Sequence, residues 1–124
     1  MKQAESDELQ QLLVKWKDAL VIVEGKNDAQ ALQQQGFLHV VTLEGKALFE
    51  VVELVAATTK ECLVLTDLDA HGKQLYARLT KDLNKHGVKI NDELRNFLFK
   101  HTAVRQIEGL SRMFAESSVN QRFE

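Results

Sequence analysis

The chain has 124 residues, 44% of them hydrophobic and 27% charged, with a formal net charge of −2. That length suits one compact domain, the composition excludes wholesale disorder, and the near-neutral charge excludes a protein that coats nucleic acid by bulk charge alone. No apolar run approaches the roughly 18 residues that span a bilayer, and the polar start, residues 1–8, lacks the apolar core of a secretory signal.

The lone cysteine, Cys62, offers neither an internal disulfide nor a cysteine zinc site, and it opens an apolar run where it reads as a small core residue. A reducing cytoplasm is the expected compartment. Charge is unevenly placed. Residues 1–70 carry 6 Lys and Arg against 12 Asp and Glu, whereas residues 71–124 carry 10 against 6. The second half can therefore face a polyanion, or simply present solvated helix faces.

Taken in order, residues 5–17 place Leu9, Leu12, Leu13 and Trp16 at helical spacing, which predicts an amphipathic helix packed on the domain. Ala19 to Val23 is an apolar run expected to be a strand covered on both faces. It ends in Glu24-Gly25-Lys26, and a helix is expected over 27–35. His39 to Leu43 reads as the second strand, and Glu44-Gly45-Lys46 echoes the first strand-to-helix junction. The next helix, 46–58, is expected to turn Leu48, Phe49, Val52 and Val55 inward. Cys62 to Thr66 is the third strand, followed at once by Asp67-Leu68-Asp69 and a turn over Ala70–Gly72. A helix over 73–86 with Leu75, Leu79 and Leu83 inward, a short strand over 88–90 and a helix from Asp92 to Phe99 follow. Thr102 to Ile107 is a last strand candidate ending in Glu108-Gly109. A short helix over 110–116 and a polar tail over 117–124 complete the reading. Strands alternating with helices predict βαβ units: an α/β, Rossmann-like fold with a central, mostly parallel four-stranded sheet flanked by helices.

Chemistry gathers at strand ends. Asp67 and Asp69 are two residues apart, and on extended backbone they point to the same side. Two carboxylates so placed suit Mg²⁺ or Mn²⁺. The competing reading is that one aspartate caps the following helix and the other is solvated. Glu24 shifts the balance, because the first and third strands of a doubly wound sheet are commonly neighbours and their carboxyl ends meet where strand order reverses. Lys26, Lys46 and Lys73 each open a helix after a strand, where they can contact phosphates or stay solvated. Glu-Gly-Lys-Asn is not a phosphate-binding loop of the Gly-Lys-Ser/Thr type. No dinucleotide-binding glycine pattern occurs, and the four histidines show no zinc spacing.

These residues resemble one family. Val21-Ile-Val-Glu-Gly-Lys-Asn-Asp28, then Leu43-Glu-Gly45, then Leu65-Thr-Asp-Leu-Asp-Ala-His-Gly72 are similar to the TOPRIM domain shared by primases, topoisomerases and several nucleases. The resemblance is nearest to small stand-alone TOPRIM proteins, primase-like or akin to the ribonuclease that matures 5S ribosomal RNA. It covers most of residues 18–110, within a domain expected over 18–116. It implies a general acid/base or shared metal ligand at Glu24, and Mg²⁺ or Mn²⁺ binding by Asp67 and Asp69. It also implies site-shaping roles for Gly25, Gly45 and Gly72, and a turn-supporting or capping role for Asp28. Glu44 and Lys46 fall outside the family motif.

The implied partner is nucleic acid, RNA or DNA, and the expected activity is metal-dependent cleavage of phosphodiester bonds. Lys26, Lys46, Lys73, Arg95 and Arg105 are the candidate backbone contacts. The alternative is a non-catalytic nucleic-acid-binding or accessory module that requires a protein partner. A flavodoxin-like phosphoacceptor domain is disfavoured because its downstream lysine and Ser/Thr strands are not evident. No membrane role is expected, and the sequence does not fix an oligomeric state.

Overall fold

The structure, a computed structural model, describes residues 3–110. Its elements are α1 (Gln3–Trp16), β1 (Leu20–Val23), α2 (Lys26–Gln33), β2 (His39–Thr42), α3 (Leu48–Thr58), β3 (Glu61–Val64), α4 (Ala70–Lys85), β4 (Lys89–Ile90) and α5 (Glu93–His101). The four strands form one sheet in the order β2-β1-β3-β4, with every neighbouring pair parallel. The expected α/β architecture is therefore present. Pairing runs Leu20 to His39 through Val23 to Thr42 on one side of β1, and Val21 to Leu63 and Ile22 to Val64 on the other.

The period-2 alternation of a strand explains the layering. Val21, Val23, Leu63 and Leu65 point to one face, where they pack with Leu9 and Leu13 of α1, Leu32 of α2, and Leu94 and Leu98 of α5. Leu20, Ile22, Cys62 and Val64 point to the other, against Val51, Val52 and Val55 of α3 and Leu79 and Leu83 of α4. A strand buried on both faces has no place for polar residues, which is why β1 reads Leu-Val-Ile-Val. Buried Cys62 is one of these core residues, and burial pushes its thiol up to about 12. Glu93 fastens α1 to α5, accepting from Lys15 Nζ at 2.8 Å and Trp16 Nε1 at 2.9 Å.

Four local expectations are corrected. Phe49 is 64% exposed, because the inward stripe of α3 runs through Val51, Val52 and Val55 with Leu48 partly covered, and Phe49 lies off it. In so apolar a helix several stripes satisfy the same spacing. Gly72 lies in the first turn of α4, which starts at Ala70, rather than in a turn before it. The predicted helix start at residue 46 moves to Leu48.

The fourth concerns Thr102 to Ile107, which forms no strand. The Thr102 hydroxyl donates to Leu98 O at 2.6 Å and accepts from Val104 N at 3.1 Å. Such local side-chain bonds compete with a ladder. The segment instead crosses the carboxyl end of the sheet, with Arg105 O accepting from Leu68 N at 2.8 Å and Ile107 buried. The short helix expected over 110–116 falls outside the described residues beyond Leu110, and the tail over 117–124 lies wholly outside them.

Candidate active site

The site follows from where β1 and β3 end. Both are parallel and adjacent, so the residues leaving their carboxyl ends emerge side by side. Glu24 leaves β1, and its Oε2 accepts the Asp67 backbone N–H at 2.7 Å. Residues 43 apart in sequence are thereby joined. Asp67 Oδ1 accepts from Ile107 N at 2.9 Å, and Asp69 Oδ1 accepts from Gly72 N at 2.7 Å as the N-cap of α4. Both readings of the aspartate pair thus hold in part: Asp69 is an exposed helix cap, whereas Asp67 is half-buried beside Glu24.

Gly72 sets the depth of this junction. A Cβ there would lie 2.0 Å from Asp67 O and 2.6 Å from Asp67 C, so α4 rests flush on the Asp67 peptide only because the side chain is absent. Buried Thr66 closes the loop, its hydroxyl donating to Gly72 O at 2.7 Å. Gly45, with φ +73°, turns the chain after β2 through the left-handed region. Gly25 is different. Its φ of −144° suits any residue, and a Cβ would meet only Glu44 Oε2 at 3.4 Å and Asp28 Oδ2 at 4.0 Å. What a side chain at Gly25 would occupy is space in the groove.

That groove, about 710 Å³, lies along the carboxyl edge and is lined among others by Glu24, Asp28, Glu44, Asp67 and Glu108. Asp28 is 8% exposed and its Oδ2 accepts from Gly25 N at 3.0 Å, fastening the β1–α2 turn. Burial, then Glu24 and Glu108, raises its carboxyl above the usual range despite that hydrogen bond. Asp67 is pushed up to about 6, chiefly by burial and further by Asp28, Glu24 and Asp69, against the lowering effect of the Ile107 N–H. His71 Nε2 stands 4.0 Å from Glu24 Oε1.

Among the proposed phosphate contacts, Lys26 and Lys46 line the groove. Lys73 is exposed on α4 and is not among the lining residues. Arg105 donates to Thr102 O and Val104 O in its own segment, at 2.9 Å each. Arg95 is corrected outright. It is 6% exposed, donates to Thr66 O at 2.6 Å and Val64 O at 3.3 Å, and lies over the Tyr76 and Phe99 rings. Its charge is spent inside the protein.

Sequence reasoning gave Glu44 and Glu108 no role at the site. Glu44 Oε2 accepts from Lys26 N at 3.3 Å, so the second Glu-Gly-Lys lies against the first. The strand-like Glu108-Gly109 pattern was the available signal for Glu108.

The donor chemistry, carboxylate oxygens crowded at one edge with Asp67 raised by burial and further by its acidic neighbours, fits a hard divalent cation. Asp67 and Asp69 each keep one oxygen outside these hydrogen bonds. Among the described residues, no three His, Cys, Asp or Glu side chains are drawn together as a ligand set in this conformation. No helix among those residues is long and apolar enough to cross a membrane.

The parallel sheet carries an acidic groove at the ends of its central strands, and the family that the chain matches is a metal-binding, nucleic-acid-related one. Residues 19–108 match the Toprim domain, and the chain belongs to that family. It is 28% identical over 106 residues to a UPF0292 protein of Methanocaldococcus jannaschii, covering 82% of this chain and 83% of that protein. It is 35% identical over 98 residues to a UPF0292 protein of Pyrococcus abyssi, covering 78% and 73%. A solved structure of a protein from Aquifex aeolicus superposes with a TM-score of 0.74 at 32% identity, over 82% of this chain and 94% of that one.

Proposed function

We propose that this protein is a Mg²⁺- or Mn²⁺-dependent enzyme that cleaves phosphodiester bonds in nucleic acid. The observation that carries the reading is the Glu24–Asp67 junction: two carboxylates from adjacent strand ends, 2.7 Å from side-chain oxygen to backbone nitrogen, facing a groove that further carboxylates line. Negative charge concentrated this way is costly, and a divalent ion relieves it.

Glu24, Asp67 and Asp69 would hold the ion, which when bound neutralises phosphate oxygens and acidifies water. Glu24 fixes the Asp67 peptide through Oε2, and its Oε1, 4.0 Å from His71 Nε2, is the oxygen that would accept a proton. Lys26 and Lys46 on the groove wall would receive the flanking phosphates.

The second reading is a nucleic-acid-binding module that needs a partner for catalysis. It is favoured by one observation, that the described carboxylates are not gathered as a three-ligand set. The test is incubation of the purified chain with structured RNA, single-stranded DNA and duplex DNA in Mg²⁺ or Mn²⁺, beside Glu24→Gln and Asp67→Asn. Cleavage that both substitutions abolish supports the enzyme. Binding without cleavage in either metal sinks it in favour of the module.

A further inference from the structure

The groove holds more than its carboxylates need. On α4, His71 and Leu75 are four residues apart and so share one helix face; both line the groove. From the segment joining β2 to α3 come Leu43 and Lys46, and from the start of α3 comes Leu48, all of which line it too. Leu48 and Leu75 are only partly buried, packed at the edge of the core that α3 and α4 share. Leucines have no part in holding a cation or a phosphate. An aliphatic surface beside an acidic site and a lysine suits a flat, weakly polar ring joined to a phosphate. A volume of about 710 Å³ accommodates such a unit.

Resting on the nucleic-acid reading above, we propose that the groove takes an unpaired nucleotide, with its base against Leu48 and Leu75 and its phosphate at the carboxylate edge, so that the substrate is single-stranded. A base within a duplex has its faces covered by its neighbours and cannot enter a side groove without being extruded, which costs a few kcal/mol. A base in a single strand or loop is already free to leave the stack. Among the described residues no Phe, Tyr or Trp lines the groove, so the base is covered by the leucines with the His71 imidazole beside them, and base identity is read weakly.

The test uses fluorescence anisotropy with a labelled 12-nucleotide strand of mixed sequence, alone and annealed to its complement. The full chain is titrated in the presence of Ca²⁺. The single strand is expected to bind at least 10-fold tighter than the duplex. Leu48→Gln and Leu75→Gln, each first shown by circular dichroism to be folded, should weaken single-strand binding 5-fold or more and leave duplex binding unchanged. Leu75→Phe keeps the site apolar and adds a stacking face, so it should tighten single-strand binding about 5-fold or more. Equal or tighter duplex binding overturns the proposal while leaving the nucleic-acid reading intact. Wild-type single-strand affinity in both Gln variants also overturns it. Failure to bind either probe, with Mn²⁺ still bound in a direct titration, overturns the nucleic-acid reading itself.

Discussion

Asp67→Asn is expected to stabilise the chain in alkaline buffer and to leave its stability unchanged in strong acid. Asp67 is half-buried, and burial with Asp28, Glu24 and Asp69 nearby moves its carboxyl from 3.8 to about 6. Asparagine keeps Oδ1 as the acceptor for Ile107 N–H, a 2.9 Å contact, and removes the charge. Below pH 3.8 the carboxyl is protonated in the folded and unfolded chain alike, and wild type and variant should match. Between 3.8 and about 6 the folded chain retains a proton that the unfolded chain has released, so wild-type stability falls as pH rises through this window and stays lowered above it. That interval corresponds to about 3 kcal/mol. Because the carboxyl is partly open to water, about 1–2 kcal/mol is expected to survive screening.

The assay is urea denaturation by circular dichroism in EDTA, for both chains, at pH 3.5 and pH 8. The variant should gain about 1–2 kcal/mol at pH 8 and no more than a few tenths at pH 3.5. Mn²⁺ should reverse the order at pH 8, since an ion bound only to the folded chain stabilises the protein that binds it more tightly. A gain that is the same at both pH values, or a loss at pH 8, refutes the argument that ionised Asp67 is held at a cost to the fold.

Two further substitutions probe what holds Asp67 in place. Gly72→Ala puts a Cβ 2.0 Å from Asp67 O and should cost about 3 kcal/mol or more in urea denaturation, with Mn²⁺ affinity falling because the Asp67 peptide must move. A variant with wild-type stability would show that the first turn of α4 does not rest on that peptide. Arg95→Ala should destabilise by about 3 kcal/mol, since it strips the Thr66 and Val64 carbonyls of a donor and removes contacts to Tyr76 and Phe99. Were Arg95 a surface phosphate contact, the substitution would instead leave the denaturation midpoint unchanged and reduce the salt dependence of nucleic-acid binding.

How far the sequence discloses this arrangement depends on the range over which each feature is determined. The layers were legible because they rest on local regularities. An all-apolar β1 reads as a strand covered on both faces, and a strand-helix alternation with short junctions reads as parallel winding. Glu24 and Asp67 were legible as neighbours for the same reason, once β1 and β3 are adjacent. The inward face of α3 was not, because Leu48-Phe49-Glu50-Val51-Val52 offers more than one apolar stripe and packing against α4 selects among them.

Arg95 and Ile107 show the harder limit. Nothing near Arg95 in sequence distinguishes it from the exposed Lys100; its burial is decided by carbonyls about 30 residues upstream and by two rings that fold around it. Thr102-Ala-Val-Arg-Gln-Ile107 has strand-forming residues but pairs with neither edge strand: the segment is drawn across the sheet end by single bonds to Leu68 and Asp67. Those same bonds place Glu108 on the groove and give Asp67 its third constraint, after Glu24 and Gly72. Position at this site is thus set by residues spread from 24 to 108, and the recognisable motif supplies Glu24, Asp67 and Asp69 while the less recognisable segment fixes where Asp67 points.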